Sequence, residues 1–404
     1  MRRLLWSLGF RAGSAGLAIA LLACTAAGPA ARPAVQQAEP YRVGITAALT
    51  GPLADNYAPV YEAINVYVQR LNDQGGINGH PVQLLVEDDS GDGTKANSNA
   101  TKLIQQEQVS LLVVTSVSAT YGPILSTARA ANTPVFFASV CPREAFPPAD
   151  PWVFCSGSYG ALYDPAYAIQ FIKEAARDAV SLGLVAQDIP LSRTAMDYAA
   201  QVAGEIGLPV VSRVTVPPTA TDYTPFATQL QQAGANWVFA HTPWSTEIGV
   251  FDALQKLGWR GNYLLWAHQP AEEELTRRKS DALYALAGNA LFAENLPIHQ
   301  EIRAAVAKYK TTYPIEHMAE GWSAALALEQ GLRNCGWPCG PRELRAAFNQ
   351  LQVDMKGLRG GPLTFSSDNH YRTKVYFKVY RWDSQQNRIV TARDWAGLDV
   401  VPGL

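Results

Sequence analysis

The sequence predicts an α/β fold of two doubly wound units in tandem. From residue 41 onward, short apolar runs alternate with helix-like segments, the pattern of parallel strands covered by helices. The alternation pauses in a Pro-rich stretch around Pro147, Pro148 and Pro151 and then resumes in similar form. A chain of 404 residues is long enough for roughly two domains.

Each element has its own signal. "YRVGITAAL" (41–49) reads as the first strand. Residues 57–73 form a helix, because Val60, Ile64, Tyr67 and Leu71 recur at three- and four-residue steps and Gly75-Gly76 ends the pattern. "PVQLLVED" (81–88) is a strand, residues 92–107 a helix with Asp92 as its N-cap, and residues 111–114 a buried strand of four aliphatic side chains. A helix at 121–131 and the strand "PVFFAS" (134–139) complete the first unit. The second unit runs through "VSLGLVA" (180–186), a helix at 192–207, "PVVSRVTV" (209–216), a helix at 222–233 and "NWVFAH" (236–241). A helix at 246–257 and "NYLLWA" (262–267) follow. Helices near 298–312, 319–334 and 341–351 precede a β-rich end, "KVYFKVYRW" (374–382), for which "RIVTA" is the expected partner.

The chain carries 33 basic and 35 acidic residues, and no basic run stands out, so nothing recommends a nucleic-acid partner. Arg2, Arg3 and Arg11 precede the small, apolar residues 12–23, a stretch too short to span a bilayer. Residues 1–24 therefore read as a signal peptide, and Leu21-Leu22-Ala23-Cys24 as a lipobox in which Cys24 becomes the lipidated first residue. Ordinary cleavage near Thr25-Ala26-Ala27 is the alternative. Residues 25–40 read as a flexible tether. The expected location is outside the cytoplasm, lipid-anchored at a membrane face. Export permits disulfides, and the pairs nearest in sequence are Cys141 with Cys155 and Cys335 with Cys339, other connectivities remaining open. Neither spacing is C-x-x-C and no two histidines form a local ligand pair, so no metal is expected.

The segment Gly91-Asp92-Gly93-Thr94-Lys95-Ala96 has the G-x-G-x-x-A form of a dinucleotide loop, but Glu87, Asp88, Asp89 and Asp92 crowd the place of the pyrophosphate. Read as a calcium loop, the same stretch ends at Asn99, which cannot supply the bidentate carboxylate. The common hydrolase, zinc-protease and nucleotide-loop signatures are missing. Neither a catalytic set nor a cofactor is expected. More suggestive is "LLVVTSVSATYGPI" (111–124), where Thr115, Ser116, Ser118 and Thr120 stand between a strand and a helix. The unpaired amides of a helix start, together with hydroxyls, suit an anion; the plain alternative is a Ser/Thr cap.

Several of these features occur together in one known family. The T-G-P turn at Thr50-Gly51-Pro52, Gly75-Gly76-Ile77-Asn78-Gly79 before a strand, Glu87-Asp88-Asp89 and the hydroxyl loop resemble the substrate-binding proteins of branched-chain amino-acid ABC transporters. "VPPTATDYTPFATQLQQAGANWVFA" and "GGPLTFSSDNHYR" extend the resemblance over nearly all of residues 41–390. It implies a type I periplasmic-binding-protein fold: two lobes joined by three crossover segments, with a ligand cleft between them that closes by a hinge. Lobe one would take 41–157 plus 293–372, and lobe two 158–292 plus 373–404. It also implies a monomeric receptor that hands a small carboxylate ligand to an inner-membrane ABC permease.

By the same resemblance, Ser118, with Ser116 nearby and an amide from Ala119, would hold the ligand carboxylate. Tyr57 would close the pocket, and Ser139 and Val140 would form its second loop, with Val140 where relatives commonly offer a threonine. In lobe two Trp244 falls near a position often held by tyrosine, and His268 falls where relatives place the acid that pairs with the ligand ammonium. An ordinary histidine is mostly neutral at pH 7 and cannot replace that acid. Glu272 or Glu273 could do so only under a shifted alignment. The tyrosine-glycine pattern expected after "LGLVAQD" is replaced by Ile189-Pro190-Leu191-Ser192-Arg193. These departures suggest an aromatic or branched acid lacking a free α-ammonium, alongside the branched-chain and aromatic amino acids of the family. A sensor or scaffold of the same fold, or an exported hydrolase, are the alternatives.

Overall fold

A computed structural model describes residues 38–157, 162–267 and 271–400. The expected signal peptide, Cys24 and most of the tether lie outside them. The first unit is built from β1 (Tyr41–Ala47), α1 (Ala54–Asp73), β2 (Val82–Asp88), α2 (Gly93–Thr101), β3 (Leu111–Thr115), α3 (Tyr121–Ala131), β4 (Val135–Phe137) and β5 (Val153–Cys155). Its sheet is parallel throughout, in the order β2-β1-β3-β4-β5. Every residue of β3 is buried, which is why it reads as an unbroken apolar run. Val60, Ile64, Tyr67 and Leu71 form the buried face of α1. Gly76, at φ +72°, turns the chain into β2 where a Cβ would lie 2.1 Å from the His80 carbonyl oxygen. The helix expected over 92–107 divides: Asp92 caps α2 by accepting from Lys95 N at 2.8 Å, and Lys102–Gln106 continue as a π-helical turn.

The second unit contains α4 (Tyr163–Ala175), β6 (Leu182–Gln187), α5 (Pro190–Glu205), β7 (Val210–Val216), α6 (Thr224–Gln232), β8 (Trp237–His241), α7 (Trp244–Lys256), β9 (Asn262–Ala267), α8 (Ala271–Arg278) and β10 (Leu283–Ala287). The parallel order β7-β6-β8-β9-β10 repeats that of the first sheet. Two antiparallel strands, β13 (Lys374–Asp383) and β14 (Arg388–Asp399), extend it from β10, and β14 contains the expected "RIVTA" partner.

Between these strands the chain returns to the first unit as α9 (Pro297–Tyr309), α10 (Ala319–Cys335), α11 (Pro341–Phe348) and a short pair, β11 (Gln352–Val353) with β12 (Leu363–Thr364). Helices α9 and α10 pack on α1. Gly321 permits the close approach of α10, since a Cβ there would lie 2.2 Å from the Val60 carbonyl oxygen. The chain thus passes between the units three times: from β5 to α4, from β10 to α9 and from β12 to β13. One buried apolar cluster runs from Leu112 and Phe137 through Tyr167 to Leu184 and Phe377, joining the two units. Disulfides link Cys141 to Cys155 and Cys335 to Cys339. Among the described residues no helix is long and apolar enough to cross a membrane.

Candidate functional site

In open parallel sheets a ligand crevice forms beyond the carboxyl ends of the strands, where strand order reverses. Order reverses between β1 and β3 in one sheet and between β6 and β8 in the other. A cavity of about 400 Å³ is lined from both sets of strand ends, a volume suited to a small organic ligand.

From the first sheet come Leu53, Asn56 and Tyr57 after β1, Val117 and Ser118 after β3, and Ser139 and Val140 after β4. The hydroxyls of the 115–120 loop are not equivalent. Ser116 donates to Asp89 Oδ1 at 2.7 Å, and Thr120 donates to the Val117 carbonyl at 2.8 Å. Asp89 is fully buried and also accepts from Thr46 Oγ1 at 2.9 Å and Gly91 N at 2.8 Å. Ser118 is exposed and lines the cavity. The Tyr121 hydroxyl lies 3.1 Å from the carbonyls of Ser116 and Val140, tying the loops after β3 and β4 together. Burial, with the Asp89 charge adding to it, pushes the Tyr57 phenol up to about 12, so it stays a neutral donor at physiological pH.

The second sheet supplies Gln187 at the end of β6 and Ile189 after it, Pro243 after β8 and Trp266 in β9, with Leu191 and Ser192 from α5. Trp266 is held from behind. Its Nε1 donates to Asp164 Oδ2 at 2.7 Å, its amide donates to Glu247 Oε1 at 3.0 Å, and the His241 ring stacks on it at 3.8 Å. Burial raises the Glu247 carboxyl well above the usual carboxylate range. The remaining wall comes from the second crossing and the start of α10, and includes Asn289, Leu291, Phe292, Glu316 and Glu320. Glu320 pairs with Arg359 at 3.1 Å and also accepts from Asn289 Nδ2.

Of the residues the sequence singled out, Tyr57, Ser118, Ser139 and Val140 come together on one wall. Ser116 does not face the cavity, because its hydroxyl is committed to Asp89. Ala119 is outside the lining, and Trp244 packs against the core of the second sheet, leaving its neighbour Pro243 at the cavity. His268 lies outside the described residues. Neither proposed stand-in lines the cavity: Glu272 turns toward the amides of Phe292 and Ala293, and Glu273 pairs with Arg277 at 2.9 Å. The motif departure Ile189, Leu191 and Ser192 does line it. Asn289, Glu316 and Glu320 were missed, and no local pattern marks them. Among the described residues, no lysine, arginine or histidine lines the cavity and no cluster suits a metal ion.

Paired α/β units with a ligand-sized cavity between their strand ends define a two-lobed solute-binding protein. The chain belongs to the periplasmic binding protein family, whose profile matches residues 40–387. Among solved structures, it is similar to a branched-chain amino acid ABC transporter protein from Thermus thermophilus with bound valine (17% identity, 89% of this chain and 97% of that one, TM-score 0.77). A fatty acid ABC transporter substrate-binding protein from Thermomonospora curvata is 17% identical over 90% of this chain and 96% of that one, with a TM-score of 0.73. A solute-binding protein from Rhodopseudomonas palustris BisB5, in complex with 3,4-dihydroxybenzoic acid, is 15% identical over 89% and 98%, with a TM-score of 0.72. At these identities the likeness establishes the fold. No curated protein matches the chain.

Proposed function

We propose that this protein is an exported receptor of an ABC importer that captures a small carboxylate with an apolar or aromatic body and delivers it to a membrane permease. The carrying observation is the cavity itself. It is walled from both sheets and largely apolar, and Ser118 lines it while the Ser116 and Thr120 hydroxyls are bonded internally. Hydroxyls and amides can hold a carboxylate without a cation, and Leu191, Trp266 and Phe292 offer apolar surface to the rest of the ligand. The named ligands of the similar structures, valine, fatty acid and dihydroxybenzoic acid, all carry a carboxylate.

In this reading the lobes are 41–157 plus 293–372 and 158–292 plus 373–404, and they rotate about the three crossings. Ligand contacts from both sides favour the closed state. Residues 1–24 direct export, Cys24 carries the lipid, residues 25–40 form the tether, and the protein binds its ligand as a monomer without catalysing a reaction on it.

The test is calorimetry of the lipid-free protein against paired amino acids and deaminated acids. At least one carboxylate should bind, and Ser118→Ala should weaken it by roughly tenfold, the worth of one hydrogen bond to a charged group. Absence of binding by every carboxylate at millimolar concentration would overturn the reading.

A further inference from the structure

A second, much smaller pocket of about 10 Å³ shares no lining residue with the large cavity. Three cationic side chains, Arg359, Arg372 and Lys374, line it with Gly361 and Tyr376, and no acid is among its described lining residues. Both units contribute. Arg359 and Gly361 belong to the loop between β11 and β12, Arg372 to the third crossing, and Lys374 and Tyr376 to β13. A volume of this order holds one water-sized species.

The three cations are unequally neutralised. Arg359 pairs with Glu320 at 3.1 Å. Lys374 pairs with Asp399 at 3.2 Å, but the Asp399 side chain is 78% exposed, so water screens that pair. Arg372 is buried and has no acid. Its Nη2 donates to the carbonyls of Ser156 and Gly157, its guanidinium lies 4.2 Å from the centroid of the Tyr371 ring, and its buried Nε has no hydrogen-bond partner among the described residues. Every Asp and Glu side chain of the chain belongs to the described residues, and none of them forms an ion pair with Arg372.

A guanidinium buried against neutral acceptors keeps an uncompensated charge, which a water molecule solvates but an anion neutralises. We propose that this pocket binds a monatomic inorganic anion of the size and charge of chloride, held by charge-assisted hydrogen bonds from Arg372 and Lys374 with Arg359 completing the positive wall. The anion joins the loop before β12 to β13 across the third crossing. Its binding is independent of which solute the large cavity takes.

The test is the melting temperature of the lipid-free protein in sodium gluconate, with chloride replacing gluconate at constant ionic strength. Stability should rise with chloride and level off, as binding to the folded state at one site requires, and bromide should act in the same way. Lys374→Gln should raise the half-saturating chloride concentration by roughly tenfold. Lys374→Glu, which brings a carboxylate to the pocket, should melt in gluconate no lower than the wild type and lose the chloride response. Both substitutions fall on a side chain that is 43% exposed, and Lys374→Gln keeps the test open if the glutamate variant folds poorly. Crystals soaked in bromide should show an anomalous peak among Arg359, Arg372 and Lys374. A melting temperature indifferent to chloride means that the pocket holds only water, and overturns the proposal. An undiminished chloride response in both variants, or a bromide-soaked crystal without that peak, overturns it as well.

Discussion

The Arg359 guanidinium lies 3.1 Å from the Glu320 carboxylate, and each side chain is only 4% exposed. Arg359 also donates to Asn289 Oδ1 at 3.0 Å and to the Ser156 carbonyl. One side chain thereby joins the cavity wall, the second crossing and the end of the first sheet.

Breaking that pair leaves a charge buried without its main partner. Arg359→Met should destabilise the protein by about 3–5 kcal/mol, and the double variant Arg359→Met with Glu320→Gln should recover much of the loss. Urea titration measures both. Equal losses in the single and double variants would mean that the two groups act independently.

The Cys141–Cys155 bridge closes a separation of 14 residues and anchors the loop that presents Ser139 and Val140. Chain-entropy reasoning assigns it about 3 kcal/mol, against about 2 kcal/mol for Cys335–Cys339, whose separation is 4 residues. Cys141→Ser with Cys155→Ser should therefore lower the denaturation midpoint more than the other pair of substitutions. It alone should also weaken ligand binding, which calorimetry of both variants would read.

Trp266 both lines the cavity and donates to buried Asp164. Trp266→Phe removes one partner of that carboxylate and should cost about 1.5–3 kcal/mol. Ligand addition should change the tryptophan fluorescence of the wild type, and much of that response should disappear in the variant. An undiminished response would place the ligand away from this indole.

Two buried groups give stability opposite pH dependences. Burial raises Glu272 to about 7, so its contribution is fully present below its ordinary value near 4.5 and is lost as pH climbs to about 7. Glu272→Gln should gain melting temperature over the wild type across that window and keep the gain above it. Burial lowers His299 to about 4, so its contribution is present above about 6.5 and is lost as pH falls toward 4. His299→Gln should flatten the acid side of the curve. Melting temperatures measured from pH 4 to 8 distinguish the two effects.

Much of the scaffold was legible locally. The three- and four-residue spacing of Val60, Ile64, Tyr67 and Leu71 marks the buried face of α1, and the aliphatic run 111–114 marks β3. The three residues of β5, between a Pro-rich stretch and a crossing, are too few to show a period. Helix α4 went unrecognised because both of its faces are largely buried, which blurs the amphipathic pattern. At the site, the hydroxyl loop stood out in the sequence, but the separate fates of Ser116 and Ser118 depend on Asp89, which arrives from the end of β2.

By itself the sequence determined the alternation of strands and helices, the tandem units and the family likeness, because burial imprints periodicity on neighbouring residues. Tertiary structure decided which side chains meet in the cavity. Tyr57, Ser118, Trp266, Glu316 and Glu320 are distant in the chain and converge because nonlocal strand pairing and three crossings bring their loops to one place. Strand order and chain crossings are set by long-range hydrogen bonding and packing, which leave no repeating signature in adjacent residues.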